Sequence, residues 1–338
     1  MTKPSVLITA AGGAGTIEVL KSLAASRRYR LIALDASPHA AGFSFADESR
    51  VVPFAADPAF RPRAAEILKE ERPDFIVPLV DEEILLFHEL AAASPRPVQI
   101  VAPREAFCKA SLDKWETFLA LEKAGIPTAK TALADAVRAP GYPAVVKPRD
   151  GRGSRELAYL KGKEDLDAYL NKASRRAGAY VLQERLEGTE FTVSAVVALG
   201  GPLLTVVPKE VVVKKGITQV GVTREVPAID RLCRDIQERL KADGPFNVQL
   251  ILTAEGTPKV IEINPRYSTT VALTLAAGVD EVDLVLRRAL GEKPAVPRFR
   301  PDLLMIRHPA HLYIPESEWP PLPVETAGAP GRPQEERR

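Results

Sequence analysis

The stretch VIEINPR, residues 260–266, ends an apolar strand with a carboxylate, an amide and an arginine. Side chains alternate between the faces of a strand, so Glu262 and Asn264 share one face, while Ile261 and Ile263 share the other. Carboxylate and amide oxygens are ligands that Mg²⁺ accepts. The structural alternative is a half-exposed strand that turns ordinary polar residues outward.

The preceding segment supplies a partner for this strand. NVQLILTAEGTPKV at 247–260 has two strand-like runs, with Glu255 and Gly256 as the central residues of a two-residue turn. The resulting cross-strand pairs are Gln249 with Glu262 and Asn247 with Asn264. Because paired residues share a face, we predict a cluster of oxygen ligands that binds Mg²⁺ together with the phosphates of a nucleoside triphosphate. A turn longer by one residue would shift the register and move the polar residues of one strand to the other face.

A second group of residues is suited to bind phosphate. Lys147 ends the apolar run AVVKP, just before RDGRGSRE, where Gly151 and Gly153 allow close approach of backbone N–H groups to an anion. Arg266 is suited to neutralise charge on a transferred phosphoryl group. An ordinary hairpin connection and a solvated lysine are the alternatives.

The bulk composition limits the class of protein. The 338 residues are 46% hydrophobic and 27% charged, as expected for a soluble globular protein with two or three packed units. The net charge of +2 comes from 46 basic and 44 acidic residues spread along the chain, which disfavours nucleic-acid and membrane partners. Cys108 and Cys233 are far apart, so we expect buried thiols. With no leader pattern and no apolar run of ~20 residues, we expect a cytoplasmic protein.

The order of elements predicts an α/β unit followed by an α+β region. Strand-like runs at 5–10, 30–36, 74–80 and 98–103 alternate with helical patterns at 16–26, 63–71 and 82–92, which indicates four or five parallel strands. After Pro103 the pattern changes to antiparallel strands interspersed with helices. The segment after Trp319 is rich in proline, glycine and charge and is predicted to be disordered.

A glycine-rich loop in the first unit invites a dinucleotide-binding interpretation. ITAAGGAGTIEVL places Gly12, Gly13 and Gly15 between a strand and a helix, with Asp35 at the end of the next strand. The spacing fits G-x-G-x-x-G poorly, and a tight turn needs small residues for packing alone. An NAD-dependent oxidoreductase is therefore the alternative to a phosphoryl-transfer enzyme.

Five motifs in a fixed order resemble a known family. DKW, VVKPRDGRGSRE, LQERLEGTEFTV, NVQL and VIEINPR follow one another between Ala110 and Ser268. This order resembles the ATP-grasp enzymes, in particular one half of the carbamoyl-phosphate synthetase large subunit and related small carboxylate-amine ligases. A single unit without a glutaminase-coupling module argues against carbamoyl phosphate synthesis itself.

The resemblance implies a fold and its division into domains. A Rossmann-like pre-ATP-grasp domain would span 1–107, followed by an ATP-grasp fold of two α+β subdomains. The small subdomain with the glycine-rich loop would span 108–185, and the large subdomain with the Mg-ATP site would span 186–318. The remaining residues, 319–338, would be the disordered tail.

The resemblance also implies roles for individual residues. ATP would be bound by Lys114, Lys147, Gly151, Gly153, Ser154, Glu184, Leu186 and Glu190. Here the two lysines contact phosphates, Gly151 to Ser154 close over them, Glu184 and Leu186 form the adenine hinge, and Glu190 binds the ribose. Two Mg²⁺ ions, with Mn²⁺ as a substitute, would be bound by Gln249, Glu262 and Asn264. Arg266 would steady an acyl-phosphate intermediate.

The activity implied is ATP-dependent, ADP-forming ligation of a small carboxylic acid to an amino acid or amine. Asp81 and Glu82 follow a parallel strand, where they are placed to bind an ammonium group, although acids at a helix start also suit its dipole. Lys209 and Arg224 are candidates for a phosphate or substrate carboxylate, with a solvated face as the alternative. A homodimer is expected from relatives, and an ATP-binding module without turnover is the remaining alternative.

Overall fold

The computed structural model describes residues 2–136, 140–151, 153 and 155–319. Residues 320–338 of the predicted tail and Ser154 of the predicted loop therefore lie outside the described residues. The described chain forms three sheets, one parallel and two antiparallel, which confirms the predicted fold class. The domain boundaries at 107/108 and 185/186 remain predictions.

The first sheet contains five parallel strands in the order β3-β2-β1-β4-β5. Its elements are β1 (Ser5–Ile8), α1 (Thr16–Ser26), β2 (Arg30–Asp35), β3 (Glu48–Val51), α2 (Phe60–Glu71), β4 (Phe75–Val77), α3 (Asp81–Ala92) and β5 (Gln99–Ile100). The strand that the sequence did not reveal is β3, whose sequence ESRV carries no alternating apolar pattern. The parallel unit itself is confirmed.

A helix pair and a four-stranded antiparallel sheet follow. These elements are α4 (Glu105–Leu112), α5 (Lys114–Lys123), β6 (Thr131–Leu133), β7 (Ala144–Pro148), β8 (Ala158–Leu160), α6 (Lys163–Lys172) and β9 (Tyr180–Glu184). Asp113, which has extended backbone angles, separates α4 from α5 and caps α5. The strand order is β6-β9-β7-β8.

The last sheet has six antiparallel strands in the order β14-β13-β10-β11-β12-β15. Its elements are β10 (Thr189–Val197), β11 (Leu203–Lys215), β12 (Ile217–Thr223), α7 (Pro227–Arg239), β13 (Phe246–Leu252), β14 (Pro258–Asn264), α8 (Val271–Ala276), α9 (Glu281–Ala289) and β15 (Leu304–Ile306). No helix in the described ranges is long and apolar enough to cross a membrane.

The large sheet has one apolar and one polar face. Phe191 and Val193 of β10 join Val248 and Leu250 of β13 in a core cluster that also contains residues of α7. On the opposite face, the chain after β14 runs back across the sheet, and Thr274 of α8 contacts Lys209 of β11. The catalytic candidates therefore lie on the face that α8 and α9 partly cover.

One continuous core joins the parallel unit to the large sheet. Apolar residues of β1, β2 and α1 pack with Val271 of α8 and with Val282, Val285 and Leu286 of α9. Ser22 also donates a hydrogen bond to Asp280, and the Tyr29 hydroxyl donates to Asp283 at 2.8 Å. The side of α1 that faces the large sheet is thereby fixed by apolar and polar contacts together.

The glycine-rich loop after β1 is tightly packed. A Cβ added to Gly15 would lie 3.1 Å from Val271 and 3.3 Å from the Thr269 carbonyl oxygen. A Cβ on Gly42 would lie 2.2 Å from the carbonyl oxygen of Ala11 in the loop. Packing therefore accounts for the small residues here.

We predict that Gly42→Ala lowers the free energy of unfolding by roughly 1–3 kcal/mol, because the added methyl group must displace backbone. Denaturant unfolding measures this change. Gly162→Ala is the matched control, since a Cβ there meets no atom within 4 Å. Equal stability of the two variants would contradict the close packing of the loop.

Candidate functional site

The β13–β14 hairpin places Gln249 opposite Glu262 and Asn247 opposite Asn264, as predicted. The reason differs from the prediction. The turn contains three residues, 254–256, because the Thr253 N–H donates to the Thr257 carbonyl at 3.1 Å and Gly256 has a φ of +78°. A β-bulge at Ile261 then adds one residue to β14, which restores the register at the site.

The bulge also changes the apolar face of the hairpin. Val260, rather than Ile261, packs with Val248, Leu250 and Ile263 in the core beneath the sheet. Ile261 has no partner across the ladder, and its carbonyl oxygen accepts a hydrogen bond from Lys147 Nζ at 3.1 Å. The bulge therefore connects the hairpin to the small sheet.

The oxygen-bearing face fits a cation that is held partly by phosphate. Asn264 is buried, and its Nδ2 has no hydrogen-bond partner among the described residues. The Gln249 amide likewise forms no hydrogen bond to a described residue, and Glu262 is approached by Lys114 Nζ at 3.9 Å. No group of three His, Cys, Asp or Glu side chains suited to a metal occurs in the described part of the chain. One carboxylate with two amides suits Mg²⁺ whose coordination is completed by phosphates and water.

Two lysines from different elements meet beside this face. Lys147 ends β7 and is only 6% exposed, and its Nζ donates to Gln183 Oε1 at 3.0 Å. Lys114 begins α5, and its Nζ donates to the Gly151 carbonyl at 2.9 Å. Burial lowers the pKa of Lys147 to about 8, an effect that the charge of Glu262 opposes and that of Lys114 increases. An anionic ligand between the lysines would restore the fully charged form.

Asp113 holds the two lysine-bearing segments together. Its carboxylate accepts the N–H of Trp115 at 2.8 Å, which caps α5, and receives a bidentate ion pair from Arg149. The backbone N–H of Lys114 also donates to the Arg149 carbonyl at 2.8 Å. Arg149 lies two residues after Lys147, so this one carboxylate fixes the spacing of both lysines.

The glycine turn after β7 requires glycine at two positions. Gly151 and Gly153 have φ values of +86° and +72°, which favour glycine over other residues. A Cβ on Gly216, at the tip of the β11–β12 hairpin, would lie 3.5 Å from the Gly153 carbonyl oxygen. The turn therefore meets the large sheet on the side where Lys114 binds Gly151.

The predicted hinge lies between β9 and β10. Glu184 uses its carboxylate to accept the Lys130 N–H at 2.9 Å. Leu186 lies between the strands, and its N–H donates to no group in the described ranges. Glu190 pairs with Lys214 at 2.6 Å, and both lie close enough for their charges to act on the pKa of Lys147. The predicted hinge and ribose residues thus flank the lysines.

Arg266 contacts a predicted metal ligand and a predicted substrate residue. Its Nη2 donates to Asn264 Oδ1 at 3.2 Å, and its Nε and Nη2 pair with the two carboxylate oxygens of Asp81 at 2.5 and 3.2 Å. Both side chains of the ion pair are 10% exposed. Burial acts to lower the pKa of Arg266, but the carboxylate of Asp81 outweighs this effect and the pKa is raised.

The structure places Asp81 at the site, where it pairs with Arg266 instead of lining an open pocket for an ammonium group. Glu82 follows it in α3, and its charge also acts on Arg266. The start of α3 is therefore part of the site, although it lies 185 residues before Arg266 in the chain.

Lys209 and Arg224 do not meet the other predicted site residues. Lys209 is fully buried, and its Nζ donates to Ser194 at 2.6 Å and Thr274 at 2.8 Å. Burial lowers its pKa and raises that of Glu281, which accepts a hydrogen bond from Ser194. Arg224 forms ion pairs with Glu210 and Asp302. It follows Thr223, the cross-strand partner of Lys209, by one residue. The contact of Lys209 and Arg224 with a phosphate or substrate carboxylate stays a prediction.

Sequence reasoning missed Gln183 as a site residue. Its amide accepts from Lys147 and donates to Thr131 at 3.0 Å. The one available signal was its place in LQE, at the end of a strand beside the predicted hinge. The pairing of Lys214 with Glu190 likewise became visible only in the fold.

We predict that Asp113→Ala weakens binding of Mg-ATP and lowers the free energy of unfolding by about 1–2 kcal/mol, since a helix cap and an ion pair are lost. Calorimetric titration and denaturant unfolding measure the two effects. Asp230→Ala is the control, because it removes the exposed Asp230–Arg234 pair of α7. Unchanged nucleotide affinity in Asp113→Ala would contradict its positioning role.

Comparisons with known proteins identify both parts of the chain. Residues 111–270 match the model of the ATP-grasp domain, and residues 6–97 match the model of the PylC-like N-terminal domain. The carbamoyl phosphate synthase large chain of Thermomicrobium roseum is 29% identical over 187 residues, which are 50% of this chain and 17% of that protein. The formate-dependent phosphoribosylglycinamide formyltransferase of Azotobacter vinelandii is 26% identical over 300 residues, 80% of this chain and 72% of that protein.

Solved structures show the same fold at lower identity. The biotin carboxylase domain of Hydrogenobacter thermophilus 2-oxoglutarate carboxylase, solved with MgADP and bicarbonate, has a TM-score of 0.69 and 17% identity over 90% of this chain and 74% of that one. The L-amino acid ligase of Bacillus licheniformis has a TM-score of 0.66 and 18% identity over 86% and 75% of the two chains. The chain therefore contains an ATP-grasp domain at residues 111–270, which follows a PylC-like N-terminal domain at residues 6–97.

Proposed function

We propose that this protein is an ATP-dependent, ADP-forming carboxylate-amine ligase that acts through an acyl phosphate. The observation that carries the proposal is the series of contacts along β14. Ile261 binds Lys147, Glu262 approaches Lys114, and Asn264 binds Arg266. The strand thus brings together lysines suited to phosphate, oxygen ligands and an arginine suited to an acyl phosphate. These groups adjoin one another in the order that the proposed reaction needs.

ATP is assigned to the space between the small sheet and the β13–β14 hairpin. Lys114 and Lys147 bind its phosphates, and the turn from Gly151 to Gly153 covers them, with Ser154 as a further proposed member. Glu184 and Leu186 hold the adenine through backbone groups, and Glu190 binds the ribose once it exchanges Lys214 for a hydroxyl.

Gln249, Glu262 and Asn264 would hold Mg²⁺, two ions in our proposal, with Mn²⁺ as a substitute. The metal would supply neutralisation of the charge that develops on the transferred phosphoryl group and the leaving ADP. The buried Nδ2 of Asn264 is a donor without a partner among the described residues, which supports a phosphate oxygen at this face, because unpaired buried polar groups are costly.

The proposed reaction has two balanced steps. A carboxylate oxygen of the acid attacks the γ-phosphorus, the bond to the β–γ bridging oxygen breaks, and ADP leaves with that electron pair. A neutral amine then attacks the carbonyl carbon of the acyl phosphate, the C–O bond breaks, and phosphate leaves while the amine releases a proton to solvent. Arg266 stabilises the negative charge of the acyl phosphate in both steps.

The oxidoreductase alternative is disfavoured by the glycine-rich loop. Asp35, the acid that a dinucleotide ribose would need, accepts the Gly12 N–H at 2.7 Å. A Cβ on Gly15 would contact Thr269 and Val271, so the loop faces the large sheet instead of open space for a pyrophosphate. An ATP-binding module without turnover is disfavoured by Arg266, which such a module does not need.

We also propose that the protein is a homodimer and that its domain boundaries lie at 107/108 and 185/186.

We predict that Glu262→Gln lowers the rate of substrate-dependent ADP release at least about 100-fold, since a metal ligand for the transferred phosphoryl group is lost. Glu255→Gln is the matched control, because it makes the same change on the exposed turn of the same hairpin. A coupled assay of ADP release measures both. Retained activity in Glu262→Gln would refute the metal assignment.

We also predict that Mg-ATP raises the melting temperature while NADH leaves it unchanged, because a ligand stabilises only the state that binds it. Lys147→Met should reduce the shift produced by Mg-ATP, and Lys163→Met, at the exposed start of α6, should not. A shift with NADH and none with Mg-ATP would support the oxidoreductase alternative.

A further inference from the structure

The Asp81–Arg266 ion pair carries information about the substrate. It joins the start of α3 to the residue after β14, and each side chain is 10% exposed. The remaining guanidinium contacts are with Asn264 Oδ1 and the Tyr267 carbonyl, at 3.2 and 3.1 Å. A substrate carboxylate that takes the two-point position on Nε and Nη2 of Arg266 must therefore displace Asp81.

The pair is not required to attach the parallel unit to the large sheet. That junction already contains the apolar cluster of α1, α8 and α9, and the hydrogen bonds from Ser22 and Tyr29 to α9. A structural clamp at Asp81 would add little to this interface. The ion pair instead lies beside the predicted metal ligands, where the reacting groups must meet.

A substrate carboxylate that took the place of the Asp81 side chain on Arg266 would satisfy only the arginine. Arg266 would gain a new anion, but the Asp81 carboxylate would remain nearly buried without its cation, which is strongly unfavourable. The charges of Glu82 and Glu262 add to the negative potential at this point. A ligand that brings a positive group together with its carboxylate satisfies both halves.

We propose that the acid substrate is an α-amino acid, whose carboxylate pairs with Arg266 and whose ammonium pairs with Asp81. This inference rests on the proposed ligase function. An α-amino acid carries both charges on one carbon, so it exchanges with the ion pair after a small separation of the two side chains. An acid without the amino group leaves Asp81 unpaired and therefore binds more weakly.

The ammonium belongs to the acid substrate and not to the nucleophile. A carboxylate beside an amine favours its protonated form, and an ammonium has no lone pair with which to attack the acyl phosphate. The amine that forms the new bond must therefore bind away from Asp81. The pair acts as a selector for the molecule that is phosphorylated.

Binding measurements test this without depending on turnover. The full-length protein, with Mg²⁺ and a non-hydrolysable ATP analogue, is titrated with L-amino acids and with the matching acids that lack the 2-amino group, such as L-alanine against propanoate. We expect at least one amino acid to bind, and its match to bind about 100-fold more weakly or worse. Equal affinities, or no binding by any amino acid, would overturn the inference.

Two variants at Asp81 test the residue itself. Asp81→Asn should bring the two affinities within about tenfold of each other, whereas Asp81→Glu should keep part of the preference. Preserved discrimination in Asp81→Asn would overturn the assignment. If Asp81→Asn does not fold, two other measurements test the assignment. These are the ratio of the two affinities in the wild-type protein and the same ratio in Asp81→Glu.

The outcomes also separate this inference from the ligase proposal. Selective amino acid binding with no ADP release from any amine pool would retain the substrate class and refute the ligase. Equal ADP release with amino acids and their matches would retain the ligase and refute the substrate class.

Discussion

The β-bulge at Ile261 joins the two halves of the candidate site, because it sets the register of the oxygen ligands and presents a carbonyl to Lys147. Without the additional residue, the three-residue turn would turn one strand's ligands to the apolar face. The same irregularity lets the small sheet dock on the hairpin through the Lys147 ammonium. Register, metal ligands and phosphate lysine are thus coupled through one residue of the backbone.

Buried charge is the second constraint on this region. Lys147, Lys209 and Arg266 are each buried on or beside one face of the large sheet, and each has defined partners. Lys209 is internally satisfied by Ser194 and Thr274, with Glu281 in the same network, which suits a structural support. Among the described residues, Lys147 has only neutral hydrogen-bond partners, which suits a residue that awaits an anion. Arg266 lies between these cases, because its carboxylate partner comes from the parallel unit.

Local pattern predicted the parallel unit, the hairpin and the oxygen ligands, because each depends on strand alternation and on residues close in the chain. It could not predict the bulge, since Ile261 is as apolar as its neighbours. It also gave no sign that Lys209 is buried beside Glu281 of a distant helix. The contact between Asp81 and Arg266 spans 185 residues and depends on how the parallel unit docks, which no local pattern encodes.

In the proposed reaction, a carboxylate oxygen of the substrate receives the γ-phosphoryl group. The most direct measurement supplies an acid pool labelled with ¹⁸O in both carboxylate oxygens, together with pooled amines and Mg-ATP, and determines the isotope content of the released phosphate. We predict one ¹⁸O atom in each phosphate formed with the product. Phosphate without ¹⁸O, released along with ADP, would show that water accepts the phosphoryl group and would contradict the acyl-phosphate mechanism.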